Sequence, residues 1–191
     1  PDIVLQLPEP LWVEDDVDDW QPLIPIQLTE DILPENRWLR GIECIPGSEI
    51  VHHIVIYPMG RGVTRDRGTG GVGGTIGGLA PGAEPTLSDT GHGYLLKPGM
   101  TLGVSMHYHK EPGPGTGAWD QSTIGLFLYP EDAEVKETHV APIGTRNFLV
   151  PAGEANYELH MSDTLERPIR LLSMLPHMHF RGKAAKYVAT Y

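Results

Sequence analysis

The sequence predicts an all-β protein: a jelly-roll-like antiparallel β-sandwich over residues 1–137, followed at 138–191 by the first strands of a second, similar sandwich. Three observations carry that expectation. The apolar and β-branched stretches are short. Turn signals built on Pro and Gly recur roughly every 8 to 12 residues. No stretch of about ten residues or more shows the 3.6-residue period of an amphipathic helix. With 191 residues, the chain is long enough to bury a sizeable core.

Taken in order, residues 1–25 are punctuated by proline and acidic, with Glu14, Asp15, Asp16, Asp18 and Asp19 gathered around Val17. The spacing lacks the Gly and terminal Glu of a calcium loop, so the segment reads as a solvated turn. Arg37 to Ile45 alternates bulky apolar with polar residues, the period-two pattern of a half-buried strand, and Pro46-Gly47 ends it. Cys44, the single cysteine, has no partner for an intramolecular disulfide and reads as a small buried residue on that strand. Residues 50–57 form a β-branched core strand that carries His52 and His53. Residues 60–93 are glycine-rich and read as a long surface loop. Strand character returns over 95–109, beyond the Lys97-Pro98-Gly99 turn, and again over 122–129, with a Pro-Gly-rich turn at 111–117 between them. Shorter strands are expected at 147–150, 157–161, 169–175 and 186–191.

Charge and hydropathy exclude several partners. Lys and Arg number 14 against 25 Asp and Glu, a formal net charge of −11, so nucleic acid and anionic membrane surfaces would repel the chain. No apolar run approaches the ~20 residues that span a bilayer. The chain opens at Pro1 without an initiator Met or a leader, which reads as a processed form or a piece of something longer.

The distinctive inventory is nine histidines beside one thiol. Three clusters stand out: His52-His53, His107-Tyr108-His109 and His177-Met178-His179. On a strand, residues two apart share a face, so each His-x-His can offer two imidazoles to one ion. Adjacent residues point to opposite faces, so His52 and His53 can share an ion only where a bulge or strand end turns one of them. Met106 and Met178 face away from their neighbouring imidazoles. His92, His139 and His160 read as surface or hydrogen-bonded residues. Imidazole sets suit zinc and copper, and both stay open; non-haem iron is disfavoured because no carboxylate falls at a facial-triad spacing. A cupin motif fails, since position 101 is Thr and Glu111 follows His109 by only two residues.

Three blocks carry a family resemblance: Val51-His52-His53-Ile54-Val55-Ile56-Tyr57, then Ser105-Met106-His107-Tyr108, then Pro176-His177-Met178-His179-Phe180-Arg181-Gly182-Lys183. In this order they resemble the copper type II, ascorbate-dependent monooxygenases, the family of the peptidylglycine α-hydroxylating and dopamine β-monooxygenases, and most of all its bacterial members. The resemblance implies two copper ions on two consecutive sandwich domains. It assigns His52, His53 and His107 to the electron-transfer copper, with His107 preferred over His109 because the family's His-Tyr falls there. It assigns His177 and His179, as catalytic ligands, to the copper where O2 meets a small-molecule or peptide-like substrate. Ascorbate is the implied reductant, C–H hydroxylation the implied reaction, and the periplasm or extracellular space the expected compartment.

Two departures from the family follow. The family's second domain continues well past its His-x-His and supplies a Met ligand, whereas residues 138–191 are too few to close a sandwich; another chain or further polypeptide is expected to complete it. The single Cys contrasts with the disulfide-rich animal enzymes. Two other readings compete with the oxygenase: a non-catalytic copper-binding or electron-transfer module using His52, His53 and His107, and a three-histidine zinc hydrolase. No acid adjacent in sequence to the clusters stands out as a general base for the latter.

Overall fold

The computed structural model describes residues 1–59, 74–80, 87–88, 91–139, 143–145, 147–166, 168–174, 176, 178 and 182–190. The chain divides into two units, Pro1–Leu149 and Val150–Tyr191. Among the described residues there are twelve strands and no helix, all of them in the first unit.

The strands are β1 (Ile3–Gln6), β2 (Leu11–Val13), β3 (Asp19–Trp20), β4 (Leu23–Gln27), β5 (Arg37–Ile45), β6 (Val51–Met59), β7 (Gly77–Leu79), β8 (His92–Leu96), β9 (Thr101–His109), β10 (Ala118–Asp120), β11 (Thr123–Leu128) and β12 (Lys136–Glu137). One sheet runs β1-β11-β5-β8-β12. A second runs β3-β9-β6-β7, with β4 also paired to β9, and β10 pairs β2 in a small ribbon. Every pairing is antiparallel except β12 with β8.

The alternation that marks these strands in sequence becomes the two faces of the sheets. Along β9, Leu102, Val104, Met106 and Tyr108 are buried, while Thr101, Ser105 and His107 are half-buried and His109 is exposed. Along β6, Ile54 and Ile56 face the core, and His53, Val55 and Tyr57 take the other face. Leu5, Leu39, Ile42, Cys44, Leu96, Ile124 and Leu126 join Ile54, Ile56, Leu102, Val104 and Met106 in one apolar core. This is a β-sandwich, and Cys44 is buried in it on β5.

Three expectations need correction. The acidic stretch around Val17 does turn, at Asp15–Asp16 between β2 and β3, but the rest of residues 1–25 supplies β1 to β3 and the start of β4, and Pro25 is tolerated because β4 lies at the sheet edge beside β9, where a missing amide costs no ladder bond on its open side. Residues 60–93 are not all loop. Gly77–Leu79 pairs with β6, and glycine is required at position 78 because a Cβ there would collide with the carbonyl oxygen of Ile54. His92 and Gly93 of the same stretch begin β8.

Finally, the strands expected at 147–150, 157–161, 169–175 and 186–191 do not form among the described residues. Within the second unit, Leu159, Met161, Ile169, Leu171, Met174 and Val188 are exposed, so an apolar pattern there is not matched by burial among the described residues. One contact within that unit joins distant residues: Lys183 Nζ donates to the Ala155 carbonyl oxygen at 2.6 Å and to Asn156 Oδ1 at 3.1 Å.

Candidate metal centre

Near the end of the β6–β9 ladder, where β6 begins and β9 finishes, two histidines stand opposite each other. His53 pairs with His107 in register, both on the face of the sheet turned away from the core. Cross-strand partners on one face stand close enough for their side chains to meet, and the ring centroids are 4.5 Å apart. Adjacent His52 would point to the opposite face of a regular strand. The ladder, however, slips between Val51, paired with Tyr108, and His53, paired with His107, so His52 is the extra residue of a β-bulge. The bulge turns its ring to within 5.0 Å of the His107 ring, centroid to centroid.

The three rings converge through one kind of atom. His53 Nδ1 lies 3.2 Å from His52 Nδ1 and 3.1 Å from His107 Nδ1. One ligand atom from each of the three residues falls within 4.8 Å of the other two. An ion about 2.0–2.1 Å from each imidazole nitrogen in tetrahedral geometry would separate those nitrogens by about 3.3 Å, close to the two short spacings. A proton shared between two of these nitrogens accounts for such short approaches, and so does a cation among them; the donor set fits a metal ion, and a borderline or soft one by ligand type.

Asp19 on β3 completes the surroundings. Its Oδ2 lies 2.8 Å from His107 Nε2. The hydrogen bond from His107 is the main cause that holds the Asp19 carboxyl below its usual range, against the opposing effect of desolvation. An ionised carboxylate only accepts, so His107 donates from Nε2; in the neutral ring the lone pair is then on Nδ1, inside the cluster. His53 is held below the usual imidazole value, first by burial and then by the neighbouring His107 and His52, with Asp19 pulling the other way. A neutral imidazole is the ligating form.

That shift gives a pH prediction. Because the folded state lowers the His53 value, the unfolded chain binds the extra proton first as pH falls. The stability His53 contributes is therefore full above about 6.5 and lost as pH drops through its lowered folded value. Thermal unfolding of the metal-free protein should show a midpoint that declines on acidification below neutrality, and His53→Gln should flatten that decline. An unchanged slope would remove His53 as its source.

The other histidines lie elsewhere. His109 shares the face of His107, but its side chain is 59% exposed, its Nδ1 sits 3.9 Å from Asp19 Oδ2, and it stays outside the cluster. His139 and His160 pair at the surface with Glu137 and Glu158, at 3.6 and 3.3 Å. His92 is on β8, and its carbonyl oxygen accepts from the Ser88 hydroxyl. Met106 is fully buried on the core face, away from the cluster. His177 and His179 lie outside the described residues.

Sequence reasoning passed over Asp19, one of five acids in a stretch with nothing to single it out. The signal that would have found it is the pairing of β3 with β9, which sets Asp19 across from His109 and one step diagonally from His107. Comparison with protein-family models, with curated proteins and with solved structures finds no match to this chain.

Proposed function

We propose that this chain is a copper-dependent monooxygenase, or a fragment of one, that hydroxylates a C–H bond of an organic substrate with O2 and with ascorbate as reductant. The single observation that supports the copper reading is the convergence of three imidazole Nδ1 atoms, with neither thiolate nor carboxylate among the converging atoms. Neutral imidazoles hold both oxidation states of copper, and the ion supplies one-electron chemistry when bound. The residues divide the work. His107 is oriented by Asp19, His53 is kept neutral by its partly buried position, and His52 stands exposed at the rim, where a soluble reductant can approach.

In this reading His177 and His179 hold the second ion, where O2 and a small-molecule or peptide-like substrate meet, and the protein works in the periplasm or outside the cell. The resemblance of the three histidine blocks to copper monooxygenases is what supports that half. Asp19 does not supply the general base that the zinc-hydrolase reading would want, because its carboxylate is engaged on the far side of the His107 ring from the converging nitrogens.

Metal analysis of the purified chain, with electron paramagnetic resonance of its oxidised form, tests the proposal. The expected result is a type II Cu(II) signal assignable to the triad, together with ascorbate-dependent O2 consumption that His177→Ala abolishes while the triad signal persists. A silent spectrum with bound zinc would sink the copper reading. A copper signal without any turnover would leave an electron-transfer module in place of an oxygenase.

A further inference from the structure

We infer that Asp19 is the positioning residue of this centre: it holds His107 as the Nε2–H tautomer and thereby aims the Nδ1 lone pair at the point shared with His52 and His53. The inference rests on the reading of the triad as a metal site and adds to it a residue that none of the histidine motifs contains.

The geometry singles out Asp19 in two ways. In the β3–β9 ladder Asp19 stands directly across from His109, yet its carboxylate passes over that ring, at 3.9 Å, for the diagonal neighbour His107, at 2.8 Å. The diagonal residue on the same face is within reach of a side chain of this length. A neutral imidazole carries one N–H. If His107 held it on Nδ1, a proton would occupy the ligating position, and the Nε2 lone pair would face a carboxylate oxygen at hydrogen-bonding distance. The observed contact penalises that tautomer and favours the one that can ligate. A carboxylate on the far nitrogen also makes the imidazole a stronger donor.

The second argument concerns what keeps a two-residue strand in place. Successive residues of a strand point to opposite faces. Trp20, the next residue, stacks on Tyr108 with ring centroids 5.5 Å apart and planes inclined by 24°. Tyr108 is fully buried, and its hydroxyl donates to Asp120 Oδ2 at 2.8 Å. Asp120, also buried, accepts from the Ser122 hydroxyl as well. Trp20, itself 37% exposed, thus rests on a side chain held in the core, and the next residue back along β3, Asp19, turns to the metal side. The core network and the outer centre are joined through two consecutive residues.

Two measurements on the full chain test this. Long-range proton–nitrogen NMR of the metal-free protein at mildly alkaline pH should find His107 as the Nε2–H tautomer in the wild type and as a mixture in Asp19→Ala. Competition titration with a chelator, using copper and zinc as probes, should find Asp19→Ala weakened roughly 10- to 100-fold. Asp19→Asn, which keeps an acceptor but no charge, should retain the tautomer and lose only part of the affinity, and His109→Ala should change neither. A merely structural role would lower the melting temperature without moving the tautomer. An Nδ1–H tautomer in the wild type, or wild-type affinity in both Asp19 variants, overturns the assignment of Asp19 and leaves the three-imidazole centre standing. A wild-type chain that takes up neither ion overturns the centre itself, and this inference with it.

Discussion

His107→Ala should strip about one metal ion per chain from the protein while leaving its fold intact, because it removes one of three converging donors and leaves the other two unable to cage an ion. The affinity loss should exceed the roughly 10- to 100-fold expected for an outer partner such as Asp19. The fold should survive because His107 lies on the outer face of β9, its side chain still 13% exposed, so its removal opens no cavity among the core side chains. His109→Ala is the matched control: same strand, same face, two residues on, but outside the converging set. Inductively coupled plasma analysis of both variants decides the matter. Unchanged metal in His107→Ala, with loss in His109→Ala, would move the ligand to His109 and contradict the ring geometry described above.

Ile54→Ala should have the largest effect on stability, about 2–5 kcal/mol. Ile54 is fully buried at the centre of β6, paired with Met106 on one side and Leu79 on the other. Truncation removes apolar contact and leaves a cavity in a close-packed interior. Against a typical reserve of about 5–15 kcal/mol, that is a large fraction. Calorimetry should record a fall of about 2–4 °C for each kcal/mol lost in a domain of this size. Val55→Ala, one residue on and half-buried on the outer face, should cost less. Saturating copper or zinc should raise the melting temperature of Ile54→Ala, since an ion bound to the native state shifts the equilibrium by mass action. That rescue should vanish when His107→Ala is added. A rescue that persists in the double variant would place the stabilising ion elsewhere.

The core strands were the most legible part of the sequence. Arg37–Ile45 stands out because it alternates bulky apolar with polar residues, Thr123–Leu128 because it is a short apolar run bounded by turn signals, and β6 because β-branched residues favour the extended conformation. The first 25 residues were not legible as strands. β1 to β4 are short edge and ribbon segments whose partners, β11, β10 and β9, lie far along the chain. Their prolines and acids mimic a loop. The glycines of β7 looked like loop residues too, although Gly78 is there to let two backbones approach and Gly77 leaves room for the Ile42 side chain. Beyond residue 138 the apolar spacing invited strands, but spacing only permits a strand and a partner must form it.

The histidines show the same division. From the sequence alone came the β class, the expectation that polyanions would be repelled, and the candidates themselves, because side-chain period, charge and ligand type are local properties that need no knowledge of neighbours. Only the tertiary structure decided that His52 is turned by a bulge, that His53 faces His107, that His109 stands aside, and that an aspartate 88 residues away supports the ring. These depend on strand register, and register is set by which distant segments bury their apolar faces together.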